Sequence, residues 1–166
     1  MKNIIFIHGL ESSGKGFKGV YLKNFLPNML TPNFKKYKKK MPLESLLKER
    51  MGQLDRILNK ENSWTIIGSS FGGLMATLYA LRYPKKLEKL ILLAPVLATP
   101  LLQLDNFSPL DIPTIIFHGK YDKIARYKAS REQAYRLFTN LEFTTTEDHH
   151  DLNKTITTLN WNKLTT

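Results

Sequence analysis

The sequence contains no cysteine, and this absence argues against two kinds of small protein. A disulfide-stapled scaffold and a thiolate-based zinc site both require cysteine side chains. Long apolar runs are also missing, because no run approaches the roughly 18 residues of a membrane-spanning helix, so we expect no stable membrane insertion. The apolar segment at residues 4–7 is too short for the core of a secretory signal, and we therefore expect a cytoplasmic location.

Acidic residues are scarce, with 14 Asp and Glu against 25 Lys and Arg, which gives a formal net charge of +11. Such an excess is typical of proteins that meet nucleic acid, an anionic membrane surface or a phosphorylated substrate. The densest basic cluster, residues 35–40, lies between a predicted strand and a predicted helix, where a solvated loop is the better interpretation. No nucleic-acid-binding motif accompanies the cluster, so we predict no nucleic-acid partner.

The apolar pattern predicts one α/β domain spanning residues 1–166. Strands are predicted at residues 3–7, 29–34, 64–67, 87–93, 113–117 and 141–145. Helices are predicted at residues 20–26, 42–58, 71–83, 124–138 and 152–164, and the charged residues of 42–58 are expected on the face opposite its apolar stripe. Because strands and helices alternate, we expect a doubly wound, mostly parallel sheet.

One short motif stands between a predicted strand and a predicted helix: Gly68-x-Ser70-x-Gly72. A serine at such a strand-to-helix turn is exposed above the end of its strand. The helix that follows directs its first N–H groups and its positive end to the same place, where an oxyanion would form. The motif therefore predicts Ser70 as a nucleophile and the N–H of Phe71 as an oxyanion donor.

Three further segments accompany this motif: His8-Gly9-Leu10 after the first strand, His118-Gly119-x-x-Asp122 after a later strand, and a late loop with His149 and His150. Together the four segments resemble the α/β-hydrolase superfamily, specifically small serine esterases without a cap domain. The resemblance spans nearly the whole chain. It implies a catalytic triad of Ser70, Asp122 and His150, with oxyanion donors at the N–H groups of Leu10 and Phe71.

The same resemblance implies a reduced sheet of six strands in the order 2-1-3-4-5-6. The sequence departs from the fuller family pattern because it lacks the two leading strands. Only about 18 residues separate the strand that ends at residue 93 from the one that begins at 113, which leaves no room for a large lid.

The chemistry of a serine nucleophile supports these roles. A hydroxyl needs an imidazole to take its proton, and the imidazole needs an acid to fix its tautomer. The chain order Ser, Asp, His is that of the hydrolases. In the family loop the catalytic histidine precedes a polar and then an apolar residue, which favours His150 and keeps His149 as the alternative. We predict that His8 and His118 make hydrogen bonds with the backbone or with site residues instead of transferring protons.

Two other functions fit parts of the sequence. Residues 9–16 nearly match the phosphate-binding P-loop of an NTPase or kinase, but Gly16 stands where the motif requires the hydroxyl that holds Mg²⁺. A non-catalytic binding protein on a hydrolase fold is the other alternative, because a fold alone does not confer activity. Adjacent His149 and His150 lack the spacing of two metal ligands on one helix face, and we expect neither a metal nor a cofactor.

The sequence thus predicts a serine hydrolase that cleaves a small carboxylic ester or thioester through an acyl-Ser70 intermediate, with no signal for its oligomeric state. Loop lysines at the expected active edge, Lys15, Lys120 and Lys123, favour an anionic leaving group such as a CoA thiol. The apolar residues that follow the fourth predicted strand either line an acyl pocket or belong to the core: Val96, Leu97, Leu101, Leu102, Leu104 and Phe107.

Overall fold

The computed structural model describes residues 2–103, 105 and 107–166. Within these residues five parallel strands form one sheet in the order β1-β2-β3-β4-β5. The strands are β1 (Asn3–Ile7), β2 (Trp64–Ser69), β3 (Leu87–Leu93), β4 (Thr114–Gly119) and β5 (Leu141–Thr146). The helices are α1 (Phe17–Lys23), α2 (Leu43–Leu58), α3 (Phe71–Arg82), α4 (Tyr127–Leu137), α5 (Asn153–Ile156) and α6 (Trp161–Leu164), and a 3₁₀ turn at Pro84–Lys86 precedes β3.

The predicted sheet of six strands in the order 2-1-3-4-5-6 is wrong in both number and order. The segment predicted as a strand at residues 29–34 makes a single bridge to β1, in which Leu30 donates to the carbonyl oxygen of Ile4 and accepts from the N–H of Phe6. Beyond Leu30, Pro32 has no N–H to offer a ladder. The N–H of Phe34 donates to a ring nitrogen of His8, so strand pairing stops there.

The helix predicted at residues 152–164 is two short helices, α5 and α6. Asn160 leaves the helical conformation, and its side-chain oxygen accepts a hydrogen bond from the N–H of Lys163 at 3.0 Å. An asparagine that caps a new helix competes with continuation of the previous one. The threonines at 157 and 158 also have low helix propensity, which favours the break at this place.

Helices cover both faces of the sheet, as the strand pattern predicts. Successive side chains of β1 point to opposite faces, so that Ile5 and Ile7 join a core with α2, α3 and α4, whereas Phe6 joins a core with α1, α5 and α6. Among the described residues, no helix has both the length and the apolar character that a membrane crossing requires. Since all five strands are parallel, the loops that follow β1, β2 and β4 meet at one edge of the sheet.

Candidate active site

Ser70 lies at the turn between β2 and α3 with φ 55° and ψ −114°. A positive φ is uncommon for a residue other than glycine, and it persists only where the surroundings hold it. The N–H of Ser70 donates to the carbonyl oxygen of Leu93 at 2.9 Å, and its own carbonyl oxygen accepts from Gly73 and Leu74 at 2.9 and 3.2 Å. Strand β3 and helix α3 therefore fix the strained turn.

The two glycines of the motif let α3 approach the sheet closely. A Cβ atom at Gly68 would lie 2.7 Å from the carbonyl oxygen of Gly72. A Cβ atom at Gly72 would overlap the carbonyl oxygen of Ile7 at the end of β1. Any larger residue at these positions would push the start of α3, and Ser70 with it, away from the strand ends.

Ser70, His150 and Asp122 form one hydrogen-bonded chain. The Oγ of Ser70 lies 2.7 Å from Nε2 of His150, and Nδ1 of the same ring lies 2.7 Å from Oδ2 of Asp122. A carboxylate only accepts hydrogen bonds, so Nδ1 carries the ring hydrogen and Nε2 is left to accept the proton of the serine hydroxyl. The Asp122 side chain is fully buried, whereas that of His150 is 18% exposed.

Asp122 is held on both of its oxygen atoms. Oδ1 accepts from the N–H groups of Ile124 and Ala125, each at 2.9 Å, and Oδ2 lies 3.2 Å from Nε2 of His118. Burial opposes the charged form of this carboxyl, but the hydrogen bonds from His118, His150 and the amide of Ile124 outweigh it and hold its pKa well below the usual range. Asp122 is therefore a carboxylate at neutral pH.

His118 supports Asp122 from the side away from Ser70. Its Nε2 atom lies 2.7 Å from the carbonyl oxygen of Ala125 as well as 3.2 Å from Asp122, and because both partners only accept, Nε2 carries the hydrogen. Its Nδ1 atom is buried without a hydrogen-bond partner among the described residues. The prediction that His118 hydrogen-bonds to the backbone is confirmed by this geometry.

The structure brings His150, and not His149, to Ser70. The side chain of His149 is exposed, and its ring centre lies 5.7 Å from that of Tyr121. The loop that carries both histidines is organised by Asp148, whose oxygens accept from the N–H of His149 and from the N–H and hydroxyl of Thr155, all at 2.8 Å. Burial opposes ionisation of Asp148, but these hydrogen bonds lower its pKa.

The loop after β1, residues 8–16, adjoins Ser70 and is called the β1 loop below. A Cβ atom placed on Gly9 would lie 3.5 Å from Cβ of Ser70. Leu10 follows Gly9 in this loop, and Phe71 follows Ser70. Neither of their N–H groups has an acceptor in the part of the chain that the structure describes. Both N–H groups are thus unpaired among the described residues, and their role as oxyanion donors stays a prediction.

A buried arginine of α2 anchors the β1 loop. Arg50 has no exposed surface, and its guanidinium donates to the carbonyl oxygens of Leu10 at 2.8 Å, Gly9 at 3.2 Å and Lys35 at 2.8 Å. The same group lies 5.4 Å from the ring centre of Phe71. Burial lowers the pKa of Arg50 to about 10, so it keeps its charge at neutral pH.

The prediction that all charged residues of α2 face away from its apolar stripe is wrong at Arg50. This residue lies among buried Leu46, Leu47, Met51 and Leu54 at helical spacing, so it occupies the apolar face itself. A charged residue at a core position of an amphipathic helix is the sequence signal that would have found it, because such a charge is retained only where it has partners.

His8 holds the other side of the β1 loop. One ring nitrogen, Nδ1, lies 2.8 Å from the carbonyl oxygen of Gly9, and the other accepts the N–H of Phe34 at 3.0 Å. Burial lowers the pKa of His8, which keeps the ring neutral and preserves this donor–acceptor pattern. Its predicted hydrogen bonding to the backbone is confirmed.

The amide groups of the β1 loop do not form a P-loop. A phosphate cradle requires backbone N–H groups that point to the ligand. Here Gly14 donates to the side-chain oxygen of Asn33 at 2.9 Å, Lys15 donates to the hydroxyl of Ser13 at 3.3 Å, and Gly16 donates to the carbonyl oxygen of Ser13 at 3.0 Å. These three amides are therefore not free to bind a phosphate, which counts against the phosphate-binding interpretation of residues 9–16.

Comparisons with known proteins concern the family and the fold of the chain. A family model described as the alpha/beta hydrolase fold matches residues 2–109. No curated protein sequence matches the chain. A solved putative hydrolase of the alpha/beta superfamily from Xanthomonas campestris pv. campestris is 19% identical, with a TM-score of 0.76 over 99% of this chain and 96% of that one.

Two further solved structures are similar in fold. Est1E from Butyrivibrio proteoclasticus, with ferulic acid bound, is 16% identical, with a TM-score of 0.75 over 99% of this chain and 87% of that one. The monoacylglycerol lipase of Paleococcus ferrophilus is 15% identical, with a TM-score of 0.71 over 98% of this chain and 93% of that one. At such identities the likeness concerns the fold alone.

Proposed function

The chain belongs to the α/β-hydrolase family, and from that premise we propose that it is a serine hydrolase of carboxylic esters or thioesters. The observation that carries the proposal is the hydrogen-bonded chain from the Oγ of Ser70 through His150 to Asp122, with 2.7 Å at each step. A serine so placed loses its proton to the imidazole as it attacks a carbonyl carbon. The structurally similar esterase and lipase are compatible with this chemistry.

The reaction follows from the positions of these groups. The Oγ of Ser70 bonds to the carbonyl carbon while its proton passes to Nε2 of His150, and the carboxylate of Asp122 stabilises the imidazolium. The carbonyl oxygen becomes an oxyanion that accepts from the N–H groups of Leu10 and Phe71.

Collapse of this intermediate breaks the bond to the leaving group, which takes the proton from His150. Water then gives a proton to His150 and attacks the acyl-serine. A second collapse returns the proton to Ser70 and releases the carboxylic acid.

A small, mostly apolar cavity near these groups is suited to the acyl chain. It has a volume of about 300 Å³; apolar residues such as Val96, Leu97 and Ile124 line most of it, and Arg126 and Ser130 lie at its wall. The N–H of Val96 donates to the carbonyl oxygen of Ser70 at 3.2 Å, and that of Ile124 donates to Asp122, so the cavity lies next to both residues. Because the volume is at the lower end for ligand cavities, we propose a short acyl group.

The other residues predicted for an acyl pocket have different positions. Leu101, Leu102 and Phe107 do not line this cavity; Leu101 lines a different cavity beside α2, and Phe107 is exposed. Leu104 lies outside the described residues. The acyl pocket is therefore assigned to the first two residues of the predicted set, Val96 and Leu97, together with residues that follow Asp122.

Fluorophosphonate labelling and a series of 4-nitrophenyl esters test the proposal. The wild type should be labelled covalently and should hydrolyse the acetate and butyrate faster than the dodecanoate, while Ser70→Ala should lose the label and about 10⁴-fold or more in kcat. Ser69→Ala is the matched control, because it removes a neighbouring buried hydroxyl and leaves the hydrogen-bonded chain in place. Labelling of Ser70→Ala would show that another residue is the nucleophile, and a lack of hydrolysis by the wild type would favour a binding protein; either result would contradict the proposal.

A further inference from the structure

A second cavity, of about 960 Å³, lies between the β1 loop and the segment of residues 33–39. Its lining includes Leu10, the residue that follows Gly9, and Gly9 in turn packs against Ser70. The cavity therefore adjoins the loop that supplies one of the proposed oxyanion donors. A substrate with its carbonyl carbon at Ser70 has room to extend a large group into this space.

The charged groups around this cavity are mostly positive. Lys15, Lys36 and Lys39 line it, against a single acidic residue, Glu11. None of the three lysines forms an ion pair with an acidic group in the part of the chain that the structure describes. By contrast, the neighbouring Lys35 is 3.6 Å from a carboxylate oxygen of Glu49 on α2 and points away.

Hydroxyl and amide side chains complete the lining. Tyr37 is half-buried, and Ser12 and Asn33 lie at the same cavity wall. Ammonium and hydroxyl groups are donors to phosphate and carboxylate oxygens, and hydrogen bonds between charged partners are stronger than those between neutral ones. The donors and the excess positive charge thus match an anionic ligand.

We propose that this cavity binds the leaving-group part of the substrate and that this part carries phosphate or carboxylate groups; the inference rests on the proposed esterase function. The small apolar cavity at Val96 receives the acyl chain, which leaves the lysine-lined cavity for the alcohol or thiol. The sequence predicts Lys120 for this role, but its charge is balanced by Glu147, since Nζ of Lys120 lies 3.4 Å from Oε1 of Glu147. Of the three predicted lysines only Lys15 lines this cavity, so we extend the anion-binding role from Lys15 to Lys36 and Lys39 and no longer assign it to Lys120 or Lys123.

A matched pair of thioesters tests the proposal: butyryl-CoA and S-butyryl-N-acetylcysteamine. The two share the acyl group and the thioester, but only the first has phosphates. The wild type should show a kcat/KM about 10-fold higher for butyryl-CoA at low salt, and the ratio should fall as ionic strength rises, because exposed charges are screened. In Lys36→Glu/Lys39→Glu the ratio should approach one, since each exposed pair is worth about 2- to 5-fold.

Lys60→Glu/Lys85→Glu is the control, because it makes the same change of net charge before β2 and β3, at the opposite edge of the sheet. Its ratio should equal that of the wild type. An equal loss in both double variants would overturn the cavity assignment, since the general field of a basic protein would then be responsible. A wild-type ratio near one, with both thioesters hydrolysed, would overturn the inference alone.

Two results separate failure of the inference from failure of the proposed function. Hydrolysis of 4-nitrophenyl butyrate without any preference between the thioesters leaves the esterase function in place. Failure of the wild type to cleave either thioester or the 4-nitrophenyl ester would remove the esterase function and this inference together.

A preference for mono-4-nitrophenyl succinate over 4-nitrophenyl butyrate that is lost in Lys36→Glu/Lys39→Glu would overturn the assignment to the leaving group, because the anion would then belong to the acyl chain.

Discussion

Arg50 donates to the carbonyl oxygen of Leu10 at 2.8 Å, from a guanidinium that is buried in α2. It makes two further hydrogen bonds, to the carbonyl oxygens of Gly9 and Lys35. A hydrogen bond to a carbonyl oxygen fixes the orientation of the planar peptide unit that contains it. The N–H of Leu10 belongs to the same peptide unit as the Gly9 carbonyl. We infer that Arg50 positions the proposed oxyanion donor, and its hydrogen bonds join α2 to the loop that follows β1.

We expect Arg50→Lys to lower kcat by about 10- to 100-fold for a short 4-nitrophenyl ester, with little change in KM. Lysine keeps the charge but cannot make the three hydrogen bonds of the guanidinium. A small displacement of a donor that acts mainly in the transition state lowers the rate by about this factor. The measurement is steady-state kinetics well below the melting temperature of the variant.

Arg56→Lys, an exposed change on the same helix, should leave both constants unchanged. A rise in KM at constant kcat for Arg50→Lys would show that Arg50 acts on substrate binding and not on the oxyanion.

The two adjacent histidines should differ sharply when each is replaced by alanine. His150→Ala removes the proton acceptor of Ser70, so kcat should fall by about 10⁴-fold or more, whereas His149→Ala removes only an exposed ring beside Tyr121 and should stay within about 2-fold. Steady-state release of 4-nitrophenol from the acetate ester gives kcat for both variants. Comparable losses of kcat in the two variants would show that activity depends on the conformation of the loop and not on the His150 ring alone.

Replacing Gly72 by alanine should destabilise the fold, because the new Cβ would overlap the carbonyl oxygen of Ile7. The expected loss in the free energy of unfolding is about 1–3 kcal/mol, as for other overpacked positions. Gly52→Ala is the control, because this glycine lies inside α2 and a Cβ atom there would be 3.7 Å from its nearest neighbour, Nη1 of Arg56. Alanine at this position should raise the free energy of unfolding by about 0.5–1 kcal/mol. Urea unfolding of both variants gives the comparison, and a stable Gly72→Ala would contradict the tight contact.

The sequence predicts the parts of this site that depend on local pattern. The place of Ser70 between an apolar strand and a helix can be read from the sequence, and the structure has both elements there. The sequence does not reveal the contacts of Arg50 and Asp148, because their partners lie on other elements and meet them only in the folded chain. The strand predicted at residues 29–34 is wrong for a related reason. The N–H of Phe34 donates to His8 instead of to a neighbouring strand, and the apolar pattern of the sequence does not reveal this partner.

Asp122 should make stability depend on pH in the acid range. Its pKa in the folded chain is held below the ordinary value of 3.8, since the hydrogen bonds from His118 and His150 outweigh the effect of burial. Between the two pKa values the unfolded chain binds more protons than the folded one, so the stabilisation is fully present above about pH 4 and is lost as pH falls toward the folded pKa.

Asp122→Asn tests this linkage, because it keeps the shape of the side chain and removes its titration. The free energy of unfolding of the wild type should exceed that of the variant at pH 6, and the difference should shrink below about pH 4 by at most about 1.4 kcal/mol per pH unit. Urea titrations at pH 6, 4, 3 and 2.5 measure it. A difference that stays constant across this range would show that Asp122 is not held as a carboxylate by its two histidines.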